Sequence, residues 1–293
     1  MKRIISILIL LCLCLSGCSL PEKNEGVSVV AVSFPGYSFA KELVGDKGEV
    51  TLLLPLGSEA HGYEPTPKDM MKIQDCDLFI YGGGDSENWV EEVLSASENN
   101  IRTVKMISCA DEISHEGHDH GTDEHVWTSP KNAKNIVKTI ADALCDADGQ
   151  NREFYQKNKN AYLEKLDGLD KAYEKEFSNQ KTEIVMADRF PFLHLAESYG
   201  IKYRAAFPGC AGESEPSAAT VAELIDYVKK EKIPTVYYTE FSNREVADAI
   251  CNATGAKSLM LHSCHNVSVE DFEKGESYLS LMERNLQHLK EAR

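Results

Sequence analysis

Residues 151–178 read NREFYQKNKNAYLEKLDGLDKAYEKEFS, and this stretch decides how the rest of the chain is organised. It contains no proline, and its only glycine is Gly168. Its apolar side chains recur every three, four or seven residues, along one face of an α-helix: Tyr155, Tyr162, Leu166, Leu169, Tyr173 and Phe177. A helix of this length would measure about 40 Å. We predict one long, stiff helix, with two helices broken at Gly168 as the alternative.

Short runs of β-branched and apolar residues alternate with helical patterns on both sides of this segment. Four strand candidates precede it and four follow it: residues 27–34, 49–54, 77–81, 102–107, 183–187, 202–207, 235–239 and 258–261. Such alternation indicates parallel sheets covered by helices. We therefore predict an α/β fold of two lobes, residues 27–150 and 181–293. Their parallel sheets are flanked by helices, and one long rigid helix over residues 151–180 joins them.

The start of the chain has the pattern of a secretory signal. Basic residues precede an apolar run over residues 4–15, which would span roughly 18 Å as a helix. A bilayer core is about 30 Å thick, so the run is too short to cross it. The run ends in LSGC at residues 15–18, which resembles the cleavage box of bacterial lipoproteins. We predict that residues 1–17 are a lipoprotein signal peptide, that Cys18 carries the lipid (palmitate), and that residues 18–26 are a tether. An ordinary secretory signal is the alternative.

Composition excludes one class of function and leaves the redox state open. The formal net charge is −16 at pH 7. Nucleic-acid binding needs a basic surface, so we predict no nucleic-acid partner. Six cysteines follow the predicted lipidation site: Cys76, Cys109, Cys145, Cys210, Cys251 and Cys264. An even number permits disulfides outside the cytoplasm, but the sequence does not fix their pairing.

Histidines and carboxylates stand where an α/β protein binds its ligand. Open α/β sheets bind ligands just beyond the carboxyl ends of their strands. His61 and His262 follow predicted strands of the first and second lobes, and His125 precedes a predicted helix. Asp188 and Glu240 also follow predicted strands. Imidazole and carboxylate groups that converge from separate loops are typical of sites for a borderline divalent cation, above all Zn²⁺.

Two motifs resemble the ligand motifs of a known family. Residues 61–69, HGYEPTPKD, and residues 123–133, DEHVWTSPKNA, are similar to first-lobe motifs of the zinc/manganese ABC-transporter substrate-binding lipoproteins. This is the ZnuA-like group, or metal-binding cluster A-I family. The turn at residues 82–89, GGGDSENW, is similar to a glycine-rich turn of that family. The resemblance implies a binding protein rather than an enzyme, with two α/β lobes joined by one rigid helix.

The same resemblance implies a function and a location. The protein is expected to capture Zn²⁺ in the cleft between the lobes and to deliver the ion to an ABC permease. Mn²⁺ is the alternative cargo. The chain would work outside the cytoplasm as a monomer, anchored through the lipid on Cys18 to the outer face of the bacterial cytoplasmic membrane.

The resemblance also implies which residues bind the metal. His61 and His125 match the first-lobe ligands. Two second-lobe positions depart from the family pattern, because one corresponds to Ala187, which cannot coordinate a metal, and the other to His262. We predict a metal site made of His61, His125, His262 and His265.

The fourth of these ligands stays open. His265 is preferred because it lies in a loop three residues after His262, while Glu240, Cys264 and water are alternatives. Asp188 stands beside Arg189, and we expect an ion pair there rather than metal ligation.

A histidine-rich tract and two rival functions complete the sequence-based picture. Residues 115–124 read HEGHDHGTDE, a composition that can bind metal loosely or form a solvated loop without a role. A zinc hydrolase is a rival function, although the chain lacks a His-Glu-x-x-His motif. A surface adhesin is the other rival, and no motif in the sequence indicates one.

Overall fold

Two parallel sheets form the frame of the protein. The computed structural model describes residues 26–97, 101–110, 123–178, 183–207 and 216–291. The strands are β1 (Val27–Ala31), β2 (Gly48–Leu52), β3 (Leu78–Tyr81), β4 (Thr103–Lys105), β5 (Glu183–Met186), β6 (Lys202–Ala205), β7 (Thr235–Tyr238) and β8 (Lys257–Met260). The two sheets have the orders β2-β1-β3-β4 and β6-β5-β7-β8, and all neighbouring strands pair in parallel. Each predicted strand is found at its place in the chain, with ends that differ by up to three residues, and the predicted fold class is confirmed.

Helices follow the strands in both halves. They are α1 (Phe34–Val44), α2 (Pro67–Asp75), α3 (Trp89–Ala96), α4 (Pro130–Ala147), α5 (Arg152–Phe177), α6 (Leu193–Tyr199), α7 (Ala218–Glu231), α8 (Glu245–Thr254), α9 (Val269–Glu273) and α10 (Tyr278–Glu291). Helix α2 shows why a helix begins where it does. Thr66 accepts a hydrogen bond from the backbone N–H of Asp69, and the Asp69 carboxylate accepts one from the Thr66 N–H. This capping box satisfies two backbone donors that the first turn leaves unpaired.

The long helix α5 links the two sheets as predicted. It is continuous through Gly168, so the two-helix alternative is wrong. The six apolar residues of the sequence pattern are all buried. They pack against α1, α4 and α10, which puts elements from both ends of the chain against the same rod.

The hydrophobic core is continuous from one lobe to the other. A single cluster contains residues of both sheets, such as Ile80 and Met186, together with the buried face of α5. Two smaller clusters cover the outer faces, one around Phe79 and one around Val236. Burial of shared apolar surface opposes separation of the lobes, so this fold disfavours large hinge motion.

Several sequence predictions fall outside the described residues. They are the signal peptide at residues 1–17, the lipidation site Cys18, residues 18–25 of the tether, Cys210, and residues 115–122 of the histidine-rich tract. The domain boundaries remain predictions. In the part of the chain that the structure describes, no helix has both the length and the apolar character needed to cross a bilayer.

Candidate metal centre

Four side chains from three loops converge at one point, and we call them the donor quartet: His61, Glu124, His125 and His265. Each offers one nitrogen or oxygen atom, and these four atoms all lie within 4.8 Å of one another. A tetrahedral zinc ion with bonds of about 2.0–2.1 Å holds its ligand atoms roughly 3.4 Å apart. Side-chain shifts on the order of 1 Å would therefore bring all four onto one such ion.

His61 is the partly exposed member of the quartet and is oriented by a carboxylate. It lies in the loop between β2 and α2, and its Nδ1 is 2.7 Å from Oε1 of Glu59. The hydrogen bond from His61 outweighs burial and lowers the pKa of Glu59 to about 2, so Glu59 is an anion at neutral pH. Because Nδ1 is directed to Glu59, Nε2 faces the quartet, 3.1 Å from Oε1 of Glu124. Such a carboxylate–histidine pair is typical of metal sites.

His125 is buried and is held in the same way. Asp123 lies next to it, and one carboxylate oxygen of Asp123 is 2.9 Å from Nδ1 of His125. Burial alone would raise the pKa of Asp123, but the hydrogen bond to His125 outweighs burial and lowers it. The backbone carbonyl of Asp123 also accepts from Nε2 of His194, on helix α6 of the second lobe, at 3.1 Å. The second lobe thus helps to fix the position of a first-lobe histidine.

Glu124 is the member that the sequence-based prediction missed. Its Oε2 accepts hydrogen bonds from the hydroxyl and the backbone N–H of Ser86, at 2.7 and 3.3 Å. A Cβ atom at Gly84 would lie 2.0 Å from that same oxygen, so the glycine-rich turn leaves room for the carboxylate. Burial alone would raise the pKa of Glu124, but the hydrogen bond to His61 and the nearby imidazoles lower it. The quartet therefore contains one buried carboxylate anion.

His265 approaches from the loop after β8. Its backbone N–H donates to Oγ of Ser263, and both the N–H and the hydroxyl of Ser263 donate to Glu240, at 2.8 and 2.6 Å. Cys264 between them has a φ of 61°, in the left-handed region that few non-glycine residues adopt. Burial, followed by the charges of His125 and His61, lowers the pKa of His265 well below its usual range. His265 is consequently a neutral imidazole, the form that coordinates a metal.

His262 lies outside the donor quartet, although it was predicted to belong to the site. Its Nδ1 accepts a hydrogen bond from the backbone N–H of Cys264 at 3.0 Å. Its backbone N–H and carbonyl are both bonded to the side chain of Asn285, at 2.7 Å each. The left-handed turn at Cys264 separates His262 from His265. The structure thus brings together three of the four predicted residues and has Glu124 where His262 was expected.

The other candidates have different environments. Glu240 is bonded to Ser263, and the buried thiol of Cys264 is directed to the carbonyl of His262. Among the described residues, the predicted ion pair of Asp188 with Arg189 is not formed, and each side chain has another partner. Asp188 accepts from the Thr239 hydroxyl, and the Arg189 guanidinium lies 3.8 Å from Glu59.

The quartet lies at the wall of a cleft between the lobes. The cleft has a volume of ≈ 440 Å³ and is lined by residues of both halves, including His61, His125, His265, Ala187 and Phe207. His61 is the quartet member with substantial exposure, at 22% of its side chain. An ion coming from solvent would therefore meet His61 and the exposed carboxylate of Glu59 first.

Comparison with known proteins shows which family the chain matches. The family described as "Zinc-uptake complex component A periplasmic" (ZnuA) matches residues 29–292. The zinc-binding lipoprotein AdcA of Streptococcus pneumoniae is 37% identical over 306 residues, covering 99% of this chain and 61% of AdcA. The chain thus spans about three fifths of that relative. The high-affinity zinc uptake system protein ZnuA of Bacillus subtilis is 35% identical over 287 residues, covering 94% of this chain and 90% of that protein.

Solved structures share the fold over nearly the whole described chain. The Zn(II)-bound ZnuA-like domain of Streptococcus pneumoniae AdcA superposes with a TM-score of 0.79 at 36% identity, covering 91% of this chain and 98% of that domain. The metal-dependent lipoprotein YcdH from Bacillus subtilis gives a TM-score of 0.80 at 35% identity, covering 91% and 99%.

Proposed function

Because the chain belongs to the ZnuA family of zinc-uptake components, we propose that it captures Zn²⁺ at the donor quartet and delivers the ion to an ABC permease. The observation that carries the proposal is the convergence of His61, Glu124, His125 and His265 within 4.8 Å. Relatives named as zinc-binding or zinc-uptake proteins support zinc as the cargo.

The chemistry of the quartet favours zinc over manganese. Three imidazole nitrogens and one carboxylate oxygen suit a tetrahedral Zn²⁺ ion, whereas Mn²⁺ prefers more oxygen donors. Zn²⁺ also lies above Mn²⁺ in intrinsic affinity for such ligands. With neutral imidazoles, the single anion Glu124 would leave a net charge of +1 on the complex. The carboxylates of Glu59 and Asp123, each bonded to a histidine of the quartet, would more than offset that charge and bring the total to −1.

The quartet suits zinc binding better than hydrolysis. Catalytic zinc sites usually have three protein ligands and keep one position for water, while four protein ligands fill a tetrahedral ion. We infer that zinc held here would be cargo. The continuous core and helix α5 further suggest that loading involves side-chain and loop movements, with the lobes staying in place.

We propose that the protein works outside the cytoplasm as a lipid-anchored monomer. The LSGC sequence at residues 15–18 supports lipidation of Cys18. The first relative's description as a lipoprotein also supports it. An anchor of this kind would keep the loaded protein close to its permease.

Zinc binding by the mature chain tests the proposal. Native mass spectrometry counts the bound ions, and competition with a chromogenic chelator gives the affinity. We expect one tightly bound Zn²⁺, weaker Mn²⁺ binding, and a large loss of zinc affinity in His61→Ala and His125→Ala. His288→Ala is a matched control, because His288 lies on α10 and contacts the carbonyl of Met260. A variant that lacks residues 115–122 distinguishes zinc bound at the quartet from zinc bound at the histidine-rich tract. The proposal fails if wild-type protein binds no zinc, or if removal of His61 leaves the affinity unchanged.

Transport is tested in cells. Zinc-limited growth should depend on the wild-type protein and fail with His61→Ala, whereas His288→Ala should support it. Growth restored equally by both variants would contradict a role of the quartet in uptake.

A further inference from the structure

The loop that carries His265 is attached to the opposite lobe. It leaves strand β8 of the second sheet, yet its backbone bonds to first-lobe segments. The N–H of Phe34 donates to the carbonyl of His265 at 3.1 Å, and the N–H of Gly57 donates to the carbonyl of Val267 at 2.9 Å. The imidazole of His265 is therefore held in register with the first lobe, where the rest of the quartet lies.

The side chain of Asn266 also bonds this loop to the first lobe. It is 1% exposed. Its Nδ2 donates to the backbone carbonyls of Pro55 and Ser58, each at 2.8 Å. Its Oδ1 accepts from the N–H of Val267 at 2.8 Å. Both ends of the amide are thus used, and the two carbonyls it binds lie in the loop that leads to His61.

Only an amide fits these three partners. The two carbonyls require a group with two protons, and the N–H of Val267 requires an acceptor on the same side chain. Aspartate has the same shape but no donor, so it would place a carboxylate oxygen against two carbonyl oxygens in a buried site. Alanine would leave both carbonyls without this partner.

We propose that Asn266 is a positioning residue for metal capture, which fixes the His265 imidazole relative to His61 before the ion arrives. This inference rests on the proposed function, because it assumes that His265 binds the cargo. In this arrangement the quartet is assembled on the first lobe, and the second sheet contributes no donor at Ala187. Because this loop is already bonded to the first lobe, the site is complete without closure of the two lobes.

A double-mutant cycle on zinc affinity tests the proposal, using the mature chain, a competing chelator and neutral pH. The variants are Asn266→Asp, His265→Ala and the two combined. We expect Asn266→Asp to weaken zinc binding roughly tenfold, the lower end of the loss seen when a hydrogen bond to a metal ligand is removed, because Asn266 acts on His265 through the backbone. In the His265→Ala background the same change should alter affinity within about twofold, since the residue through which it acts is gone. A purely structural role would give equal losses in both backgrounds and would overturn the proposal.

Two further variants keep the test independent of folding. Asn266→Ala removes the donor without adding charge and should show the same coupling to His265. Asn158→Asp is the matched control, because Asn158 on α5 also donates from Nδ2 to a backbone carbonyl, that of Leu43. It should lower the melting temperature and leave zinc affinity within about twofold.

Cobalt provides a spectroscopic readout. The d–d absorption of the Co²⁺-loaded protein should change in Asn266→Asp and stay unchanged in Asn158→Asp. If wild-type protein binds no zinc, the proposed function itself fails. If wild type binds zinc and His265→Ala weakens it, but both Asn266 variants bind like wild type, only the positioning role is refuted.

Discussion

One carboxylate oxygen of Asp123 accepts two hydrogen bonds from His125, one from the backbone N–H at 2.8 Å and one from ring Nδ1 at 2.9 Å. The first bond fixes the backbone conformation at His125, and the second fixes the rotation of its ring. The imidazole therefore has one orientation. With Nδ1 bonded to an anion, Nε2 becomes the more basic nitrogen available to a metal.

Asp123→Asn tests this arrangement. The amide has the same shape but no negative charge, so we expect zinc affinity to fall roughly 10- to 100-fold. Competition with a chelator measures the change. Asp188→Asn is the matched control, because Asp188 is bonded to Thr239 and not to a member of the quartet. Equal losses in the two variants would show that the effect comes from the general charge of the cleft.

The choice between Glu124 and His262 is tested by a second pair of variants. Glu124→Gln removes the only anion of the quartet, and we expect zinc affinity to fall by at least about tenfold. His262→Asn keeps an acceptor for the N–H of Cys264 and should change affinity within about twofold. The reverse ranking would support the ligand set predicted from the sequence and would remove Glu124 from the site.

The frame of this site could be predicted from the sequence because its signals are local. The apolar face of α5 and the eight strand segments depend on spacing within one element. His61 and His125 could be proposed as ligands from the sequence because each lies in a short motif with a recognisable pattern around it. Their convergence follows from the rule that parallel strands place their following loops at one edge of the sheet.

The sequence alone could not show that Glu124 lies in the quartet and that His262 lies outside it, because their positions depend on distant contacts. Glu124 reads as part of an acidic tract, and what directs it into the site is Ser86, which lies 38 residues earlier in the chain. The backbone at Cys264 separates His262 from His265. Its positive φ could not be predicted from any local sequence pattern. Adjacency to His125 was the one sequence signal that could have identified Glu124.

Gly84→Ala should weaken zinc binding although all four residues of the quartet remain unchanged. The added Cβ would lie 2.0 Å from Oε2 of Glu124 and 2.3 Å from its Cβ, so the carboxylate must move. Because a small displacement of one ligand weakens its bond to the ion, we expect a loss of affinity on the order of tenfold. Gly62→Ala is the control, because a Cβ at Gly62, next to His61, meets no atom within 4 Å. Unchanged affinity in Gly84→Ala would mean that Glu124 does not bind the ion.

Asp69 should make the stability of the first lobe depend on acid. Burial alone would raise its pKa, but hydrogen bonds from Thr66 and Lys72 outweigh burial and lower the pKa to about 2. An unfolded aspartate has a pKa of about 3.9. The folded state therefore gains stability from the ionised carboxylate above about pH 4, and loses it as the pH falls towards 2. Asp69→Asn should lower the free energy of unfolding by about 1 kcal/mol at neutral pH, because the hydrogen bonds from Thr66 and Lys72 lose their charged acceptor.

That difference should shrink at about pH 3, where wild-type Asp69 begins to take up its proton. Urea unfolding of both proteins at the two pH values measures it. Asp226→Asn, at an exposed position on α7, should change stability by less than about 0.5 kcal/mol at either pH. A deficit in Asp69→Asn that stays constant from neutral to acid pH would show that the carboxylate's charge contributes nothing to the cap, and that the amide fails because its nitrogen cannot accept a hydrogen bond.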